Sequence, residues 1–162
     1  MTRIGLLSDT HAFIHPRIFE HFKDCDQIWH AGDFGNISIA DELSKFKTLV
    51  GVYGNIDGQD IRKSFPKDQK FMCEKVSVWM THIGGYPGRY EKGIKEQLIK
   101  QTPKLFISGH SHILKVINDK KLHLLHINPG AAGKYGFQLV KTLVRFSINE
   151  DRILDLDVIE LS

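Results

Sequence analysis

Cysteine is scarce in this sequence, and its scarcity excludes two ways of stabilising a fold. The 162 residues include two cysteines, Cys25 and Cys73, which lie far apart and form no C-x-x-C pair. Disulfide frameworks and thiolate zinc sites need more cysteines, or cysteines at closer spacings. The fold must therefore depend on an apolar core. A chain of this length can bury one, and we expect a single domain over residues 1–162.

Long apolar runs are absent as well. No segment approaches the roughly 20 consecutive apolar residues that a membrane-spanning helix needs. The first residues, Met1 to Gly5, show neither the apolar stretch nor the cleavage site of a secretory signal. We therefore expect a cytoplasmic protein that makes no membrane contact.

The charge is modest, and histidine is what the sequence has in quantity. The net charge is +3 with histidine neutral, and the basic residues are scattered along the chain. This pattern predicts no dedicated nucleic-acid surface, although it suits a substrate that carries a phosphate. The oligomeric state leaves no signal in the sequence. There are nine histidines, and histidine is the commonest metal ligand and an acid or base near neutral pH.

The first third of the chain alternates strands with helices. Apolar runs, Pro16 at a helix start and Ser38 as a helix N-cap predict a β-α-β-α-β series. Its elements are strands at residues 3–8, Gln27–His30 and Thr48–Tyr53, and helices at Pro16–Lys23 and Ser38–Phe46. Such alternation indicates a largely parallel sheet, with functional residues on the loops that follow the carboxyl ends of its strands.

The rest of the chain has a different pattern. An amphipathic helix is predicted at Arg89–Lys100, among short strands separated by turn signals. These strands are predicted at Val76–Thr81, Lys104–Ser108, Leu114–Ile117, Leu122–Ile127, Phe137–Ile148 and Ile153–Leu161. We expect them to form a second, mainly antiparallel sheet. The predicted fold is α/β, with two mixed β-sheets packed face to face and flanked by helices in a four-layer α-β-β-α sandwich.

Five strand ends carry polar, glycine-flanked residues of the kinds that bind metals. They are Asp9-Thr-His11, Gly32-Asp33, Gly54-Asn55-Ile-Asp57, Thr81-His82 and Gly109-His110-Ser-His112. Each alone has an ordinary structural explanation, such as a helix cap, a turn or a hydrogen-bonded core histidine. Five together make those explanations improbable. Because alternate residues of an extended chain point the same way, Asp9 and His11 can offer an oxygen and a nitrogen ligand to one divalent ion.

In sequence order these segments resemble the signature of the calcineurin-like metallophosphoesterases: D-x-H, G-D, G-N-x-[D/E], H and G-H-x-H. The resemblance covers residues 9 to 112 and, in a chain this short, is strongest to the small bacterial and archaeal phosphodiesterase branch. It implies two divalent metal ions, with manganese favoured and iron, zinc, cobalt or nickel also suited to nitrogen and oxygen ligands. It further implies that one ion is held by Asp9, His11, Asp33 and His112, and the other by Asp33, Asn55, His82 and His110.

The function that this resemblance implies is hydrolysis of small phosphodiesters by a hydroxide that bridges the two ions. The residues expected to carry catalysis are Asp33, Asn55, His82 and Asp57, the last either orienting a ligand or only stabilising a turn. Many family members have a histidine between the Asn and the acid of the third motif to help protonate the leaving group, whereas this chain has Ile56. Two alternatives stay open: a phosphomonoesterase or nucleotide hydrolase, and a non-catalytic protein-interaction scaffold of the same fold.

The glycine-rich segment Ile83–Tyr90, which directly follows His82, is a candidate for substrate binding. Arg89 could bind a phosphate oxygen, and Tyr86 could stack on a base or an aryl group. The competing interpretation is an exposed loop in which Arg89 begins the next helix.

The implied site makes a prediction about the charge at Asn55. Two divalent ions, two carboxylates and a bridging hydroxide leave a site charge of about +1, and a neutral Asn55 preserves it. We expect Asn55→Asp to retain its metal but to bind a singly charged phosphodiester more weakly, which raises KM. Steady-state kinetics and metal analysis of the same sample check this. A diesterase rate unchanged by the substitution would count against the electrostatic explanation.

Overall fold

The computed structural model describes residues 1–136 and 140–161, and within these ranges there are twelve strands and four helices. The strands are β1 (Thr2–Leu7), β2 (Gln27–His30), β3 (Thr48–Gly51), β4 (Asp68–Cys73), β5 (Val76–Thr81), β6 (Gly85–Tyr86), β7 (Arg89–Tyr90), β8 (Leu105–Ile107), β9 (Lys115–Asp119), β10 (Leu124–Asn128), β11 (Lys141–Asn149) and β12 (Arg152–Leu161). The helices are α1 (Arg17–His21), α2 (Ile37–Phe46), α3 (Gln59–Ser64) and α4 (Ile94–Lys100). None of the helices in the described ranges has the length and apolarity needed to cross a membrane.

Two five-stranded sheets form the framework. The first has the strand order β12-β11-β1-β2-β3, and the second has the order β4-β5-β8-β10-β9. Three neighbouring strands of each sheet are parallel, namely β1-β2-β3 and β5-β8-β10, and the other strands join them antiparallel. Both sheets are therefore mixed, which confirms the predicted fold class.

Apolar side chains fill the space between the two sheets. Trp29 of β2 packs edge-on against Phe71 of β4, which belongs to the other sheet, and against Phe146 of β11. Ile4 and Ile107, one from each sheet, are fully buried in the same cluster. Burying each such side chain contributes about 1.5–3 kcal/mol, so this layer holds the sheets face to face.

Helices cover the outer faces of the two sheets. Ile18 of α1 and Leu43 of α2 are buried in a second cluster with Ile28 of β2. On the other side, Leu98 of α4 packs in a third cluster with Phe106 of β8. The order of layers is therefore α-β-β-α, as the alternation of strands and helices predicted.

Sheet membership is where the sequence prediction was wrong. Strands β11 and β12 extend the first sheet, whereas we expected them in the second. Strand β11 runs antiparallel to β1, with Thr2 opposite Ile148 and Leu6 opposite Val144, and covers the edge of β1 that the parallel strands leave open. The second sheet is correspondingly parallel at its centre rather than mainly antiparallel. Periodicity identifies a strand but does not identify its partner, which depends on the faces that the assembled sheets must bury.

Several element boundaries also differ from prediction. Helix α3 and strand β4 occupy a region where no element was predicted. The predicted helix at Arg89–Lys100 begins only at Ile94, because its first residues belong to the β6–β7 hairpin. Asn36 rather than Ser38 caps α2, since its side chain accepts a hydrogen bond from the Ser38 backbone N–H at 3.1 Å. The predicted strand Phe137–Ile148 begins in residues 137–139, which lie outside the described residues.

The carboxyl ends of five parallel strands meet along one edge of the molecule. Strands β1, β2 and β3 end at Leu7, His30 and Gly51, and strands β5 and β8 end at Thr81 and Ile107. Each of the five motif segments follows one of these ends. Loops at the carboxyl ends of parallel strands are where α/β folds place their ligands, and this topology gathers all five segments there.

The inter-sheet cluster predicts the effect of a core substitution. Ile107→Ala removes a fully buried side chain and leaves a cavity, so we expect the free energy of unfolding to fall by about 2–5 kcal/mol. Ile99 of α4 is 58% exposed, and Ile99→Ala is the matched control, with an expected change below about 0.5 kcal/mol. Urea unfolding followed by circular dichroism measures both variants. Equal losses in the two would contradict the assignment of Ile107 to the core.

Candidate metal centre

Two groups of metal-ligating side chains lie at the edge where these strands end. One group is Asp9, His11 and His112, and the other is Asp33, His82 and His110. Within each group the ligand atoms all lie within 4.8 Å of one another. The structure therefore brings together six of the seven predicted ligands, from four loops that are far apart in the sequence.

Asp33 lies between the two groups. Its Oδ2 is 3.2 Å from Nε2 of His82 and 3.5 Å from Nε2 of His11, so its carboxylate faces one histidine of each group. Asp9 makes a similar approach, with Oδ1 3.2 Å from Nε2 of His112 and 3.8 Å from Nε2 of His82. The two groups are therefore contiguous, and the carboxylates of Asp33 and Asp9 each face histidines of both groups.

Three buried polar atoms at this point have no hydrogen-bond partner within the part of the chain that the structure describes. They are Asp9 Oδ1, His11 Nε2 and His82 Nε2. A buried polar atom left without a partner costs about 1–3 kcal/mol, and here the Nε2 atoms of His11 and His82 lie 3.7 and 3.8 Å from Asp9 Oδ1, which indicates a ligand. Carboxylate oxygens and imidazole nitrogens are a donor set that divalent transition ions accept, and the residues present fit such ions.

Hydrogen bonds on the far sides of these ligands fix their orientation. His82 Nδ1 lies 2.7 Å from the carbonyl oxygen of Ala31, to which a neutral ring donates, and Nε2 then turns its lone pair toward the other ligands. Asp9 Oδ2 accepts hydrogen bonds from Ser8 Oγ at 2.7 Å and from the His110 backbone N–H at 3.2 Å. Outer contacts of this kind set the tautomer and the direction of metal-binding side chains.

Electrostatics favours the ionised form of Asp9. Burial opposes its charge, but the imidazole rings of His11 and His112 close to it outweigh burial and hold the pKa of Asp9 well below its usual range. Burial likewise favours the neutral form of His82, but the carboxylate of Asp33, 3.2 Å from Nε2, and the charge of Asp9 raise the pKa of His82 above its ordinary value. Asp9 is therefore present as the carboxylate, which is the form that binds cations.

Asn55, the predicted ligand without a charge, lies beside the second group. Its Oδ1 is 3.0 Å from Nδ1 of His110, and Asn55 is exposed to solvent. The structure thus places Asn55 on the open side of the centre. Its role as a metal ligand stays a prediction.

Asp57 braces two of the ligand loops. It is buried, and its carboxylate accepts backbone hydrogen bonds from Phe34 at 3.2 Å, Gly35 at 3.0 Å and Gly54 at 2.8 Å. These bonds tie the loop after β2, which carries Asp33, to the loop after β3. These contacts fit both roles that the sequence left open for Asp57, because two of them join the ligand loops and the one from Gly54 closes a turn within its own loop, and its part in catalysis stays a prediction.

The backbone of the ligand loops is strained. Five predicted ligands have a φ in the left-handed region: Asp9 (54°), His11 (46°), Asp33 (59°), His110 (70°) and His112 (63°). Few residues other than glycine adopt this region, although aspartate and histidine do so more readily than most. Strain of this kind costs of order 1–3 kcal/mol a residue, and it concentrates at functional sites, where the surrounding structure enforces it.

Glycine is required at two points where the backbone passes against a carboxylate. A Cβ on Gly54 would overlap Oδ1 of Asp33. A Cβ on Gly109 would overlap Oγ of Ser8 and lie 2.9 Å from Oδ2 of Asp9. Both glycines directly precede a predicted ligand, and the missing side chain permits this close approach.

His30, which we did not expect to be a ligand, links the first two loops. It is fully buried, its Nδ1 accepts a hydrogen bond from the Gly32 backbone N–H at 3.1 Å, and its Nε2 lies 3.0 Å from Oγ1 of Thr10. Burial lowers the pKa of His30 to about 3, so the ring is neutral. It therefore supports the loops that carry Asp9 and Asp33.

Asn128 supports the loop that carries the last two histidines. Its Nδ2 donates to the carbonyl oxygen of Gly109 at 3.0 Å and to Oγ of Ser111 at 3.1 Å, and its Oδ1 accepts from the Gly130 backbone N–H at 3.0 Å. The sequence signals a turn here, through Asn-Pro-Gly after a strand. It does not signal the contact with the distant loop, which only the folded chain creates.

The two residues predicted to bind substrate, Tyr86 and Arg89, pair with each other across the β6–β7 hairpin. The Nζ of Lys115 lies 4.3 Å from the centre of the Tyr86 ring, and Arg89 lines a cavity with Asp119. The cavity at the candidate metal centre is lined instead by Lys92, which follows the hairpin. The structure therefore does not confirm the predicted contacts of Arg89 with a phosphate oxygen and of Tyr86 with a base or aryl group. The substrate-binding role of both residues stays a prediction.

Comparisons with known proteins identify relatives of this chain. Residues 2–151 match the family described as the calcineurin-like phosphoesterase superfamily domain. A probable metallophosphoesterase from Methanothermobacter thermautotrophicus is 29% identical over 135 residues, which cover 79% of this chain and 76% of that protein.

Solved structures with the same fold include two of particular interest. A single mutant of Vps29 from Entamoeba histolytica has a TM-score of 0.77 at 14% identity, with 99% of both chains covered. A protein described as a novel archaeal phosphodiesterase has a TM-score of 0.73 at 21% identity, covering 98% of this chain and 99% of that one. At these identities the two structures show the shared fold.

The close approach at Gly54 predicts a selective loss of metal binding. In Gly54→Ala the added methyl group overlaps both the carboxylate and the backbone nitrogen of Asp33, so Asp33 must move and we expect the affinity for Mn²⁺ to fall by roughly 10–100-fold. Gly58→Ala is the matched control, because a Cβ at Gly58 meets nothing within 4 Å. Isothermal titration of Mn²⁺ into chelator-treated protein measures both, with circular dichroism to verify the fold. Equal affinity in the two variants would refute the packing argument.

Proposed function

Since the chain belongs to the calcineurin-like phosphoesterase superfamily, we propose that it is a metal-dependent phosphodiesterase that hydrolyses small phosphodiesters at a centre of two divalent ions. The observation that supports this most directly is the pair of contiguous ligand groups, with Asp33 between them and three buried donor atoms facing one another. A purely structural cluster would satisfy those atoms by hydrogen bonds.

The two ions are assigned to the groups in the way that the sequence resemblance implies. Asp9, His11, Asp33 and His112 would hold one, and Asp33, Asn55, His82 and His110 would hold the other. Two such ions would supply an activated water at neutral pH and positive charge for the phosphoryl oxygens. The residues of the chain provide the geometry: the bracing contacts of Asp57, His30 and Asn128 hold the ligand loops in place before any substrate arrives.

The charge of the proposed centre suits a singly charged diester. The two ligand groups contain two carboxylates, Asp9 and Asp33, and the remaining donors are neutral when they bind an ion. A centre of this composition has a small positive excess, which a singly charged diester neutralises. The likeness to an archaeal phosphodiesterase agrees with a diester substrate.

The leaving group determines which diesters are hydrolysed well. Ile56, where many relatives have a histidine, is 46% exposed beside the centre and has no proton to donate. The carboxylate of Asp57 is occupied by three backbone N–H groups. The reaction therefore favours leaving groups that depart without protonation, such as aryl oxides, over alkoxides.

An assay of diester and monoester side by side tests the proposal. We expect chelator-treated protein to hydrolyse bis(p-nitrophenyl) phosphate only after Mn²⁺ or another divalent ion is restored, and faster than p-nitrophenyl phosphate. Asp33→Asn should lower kcat/KM on the order of 100-fold, because it disrupts both ion sites. Asp41→Asn, the same change on an exposed position of α2, is the control and should leave the rate unaltered.

Two results would overturn this function in different directions. Faster hydrolysis of the monoester would identify a phosphomonoesterase or nucleotide hydrolase. Metal binding without hydrolysis of either ester would favour a protein-interaction scaffold, the alternative for which the likeness to Vps29 gives a structural precedent in fold alone.

A further inference from the structure

A groove opens beside the candidate metal centre, on the side of Asn55 and His82. Its volume is about 510 Å³, within the range of about 300–1,000 Å³ that small-molecule sites occupy. Asn55 and His82 form part of its wall. A phosphoester bound at the ligand groups therefore has room in this groove for the rest of its structure.

Three cations from separate segments line this groove. Arg62 belongs to α3, Lys67 lies between α3 and β4, and Lys92 lies between β7 and α4. None of the three is adjacent in sequence to a predicted metal ligand. The sequence shows them as scattered charges, and only the fold collects them around one cavity.

Two carboxylates also line the groove but do not cancel its positive charge. They belong to Asp68 and Glu91, and the three cations outnumber them. Oδ1 of Asp68 already accepts a hydrogen bond from Nε1 of Trp79 at 2.9 Å. The groove is therefore net positive on the side chains that face it, and it adjoins a centre whose proposed substrate is an anion.

Arg62 is held in position beside the centre. Its Nε donates to the carbonyl oxygen of Asp57 at 2.6 Å, and its Nη2 donates to that of Asn55 at 3.4 Å. Its guanidinium carbon lies 4.4 Å from the centre of the Tyr53 ring. These contacts use part of the five N–H donors of a guanidinium and leave others for a ligand. A guanidinium oriented in advance loses less entropy when it binds a phosphate.

We propose that this groove is a second anion subsite, in which Arg62, Lys67 and Lys92 bind a second phosphate group of the same small substrate. The inference rests on the proposed function, because it assigns the scissile phosphodiester to the metal centre. Ile83 and Ile94 also line the groove and provide apolar contact for the organic part that joins the two phosphates. The substrate class is thus a small organic bisphosphate in which one phosphate is a diester.

A matched pair of chromogenic esters tests this subsite. Thymidine 5′-(p-nitrophenyl phosphate) and its 3′-phosphorylated derivative share the scissile bond and the leaving group and differ by one phosphate. With metal-loaded protein we expect kcat/KM to be about tenfold higher for the phosphorylated ester, because a charge-assisted contact is gained. The ratio of the two rates should fall several-fold in Lys67→Gln and in Lys92→Gln. It should also fall as ionic strength rises.

A charge control separates the subsite from the net charge of the protein. Lys45→Gln removes one positive charge from an exposed position of α2, outside the groove. We expect this variant to keep the full preference for the phosphorylated ester. A ratio near one in the unaltered protein, or an equal fall in the Lys45, Lys67 and Lys92 variants, would overturn the proposal.

A binding measurement distinguishes failure of the subsite from failure of the proposed function. Calorimetry with metal-loaded protein compares thymidine 3′,5′-bisphosphate with thymidine 5′-monophosphate, and no turnover is needed. The subsite is supported if the bisphosphate binds more tightly and this advantage is lost in Lys67→Gln and Lys92→Gln. That conclusion holds even if neither ester is hydrolysed, because the absence of hydrolysis overturns only the proposed phosphodiesterase activity. Equal affinity for the two nucleotides overturns the subsite even if both esters are hydrolysed.

Discussion

The site depends on one constraint: ionisable side chains are buried together where the strands of two sheets end. Asp9 Oδ1, His11 Nε2 and His82 Nε2 are removed from water and have no hydrogen-bond partner among the described residues. A buried polar atom without a hydrogen bond carries a desolvation cost of about 1–3 kcal/mol, which the nearby opposite charges offset only in part. Divalent cations compensate such donors. The fold and its metal therefore have to be considered as one energetic unit.

The ligand loops accept a strained backbone because neighbouring elements hold them on several sides. Asp57 ties the loop after β2 to the loop after β3, His30 ties the loop after β1 to that after β2, and Asn128 holds the loop after β8. A centre braced in this way places its ligands before an ion or a substrate arrives. Little reorganisation is then needed during binding, which is what preorganised sites achieve in general.

The centre and the groove beside it are connected through one short loop. Asn55 contacts His110 on one side and accepts a hydrogen bond from Arg62 through its backbone on the other. Ile56 adds an apolar, exposed side chain at the same place. The loop after β3 therefore contacts both a predicted ligand and the cationic groove.

The sequence by itself determined the fold class and the five strand ends that carry the predicted ligands. These follow from local order, because apolar periodicity marks each strand and the residue types after it are read directly. Only the tertiary structure decided the rest. It placed β11 and β12 in the first sheet and Asp33 between the two ligand groups. It also brought Asn128 against the loop after β8 and collected Arg62, Lys67 and Lys92 around one groove. All of these are contacts between residues distant in the chain. Which residues meet in these contacts depends on the faces that the two sheets bury against each other, and the local sequence pattern does not predict those faces.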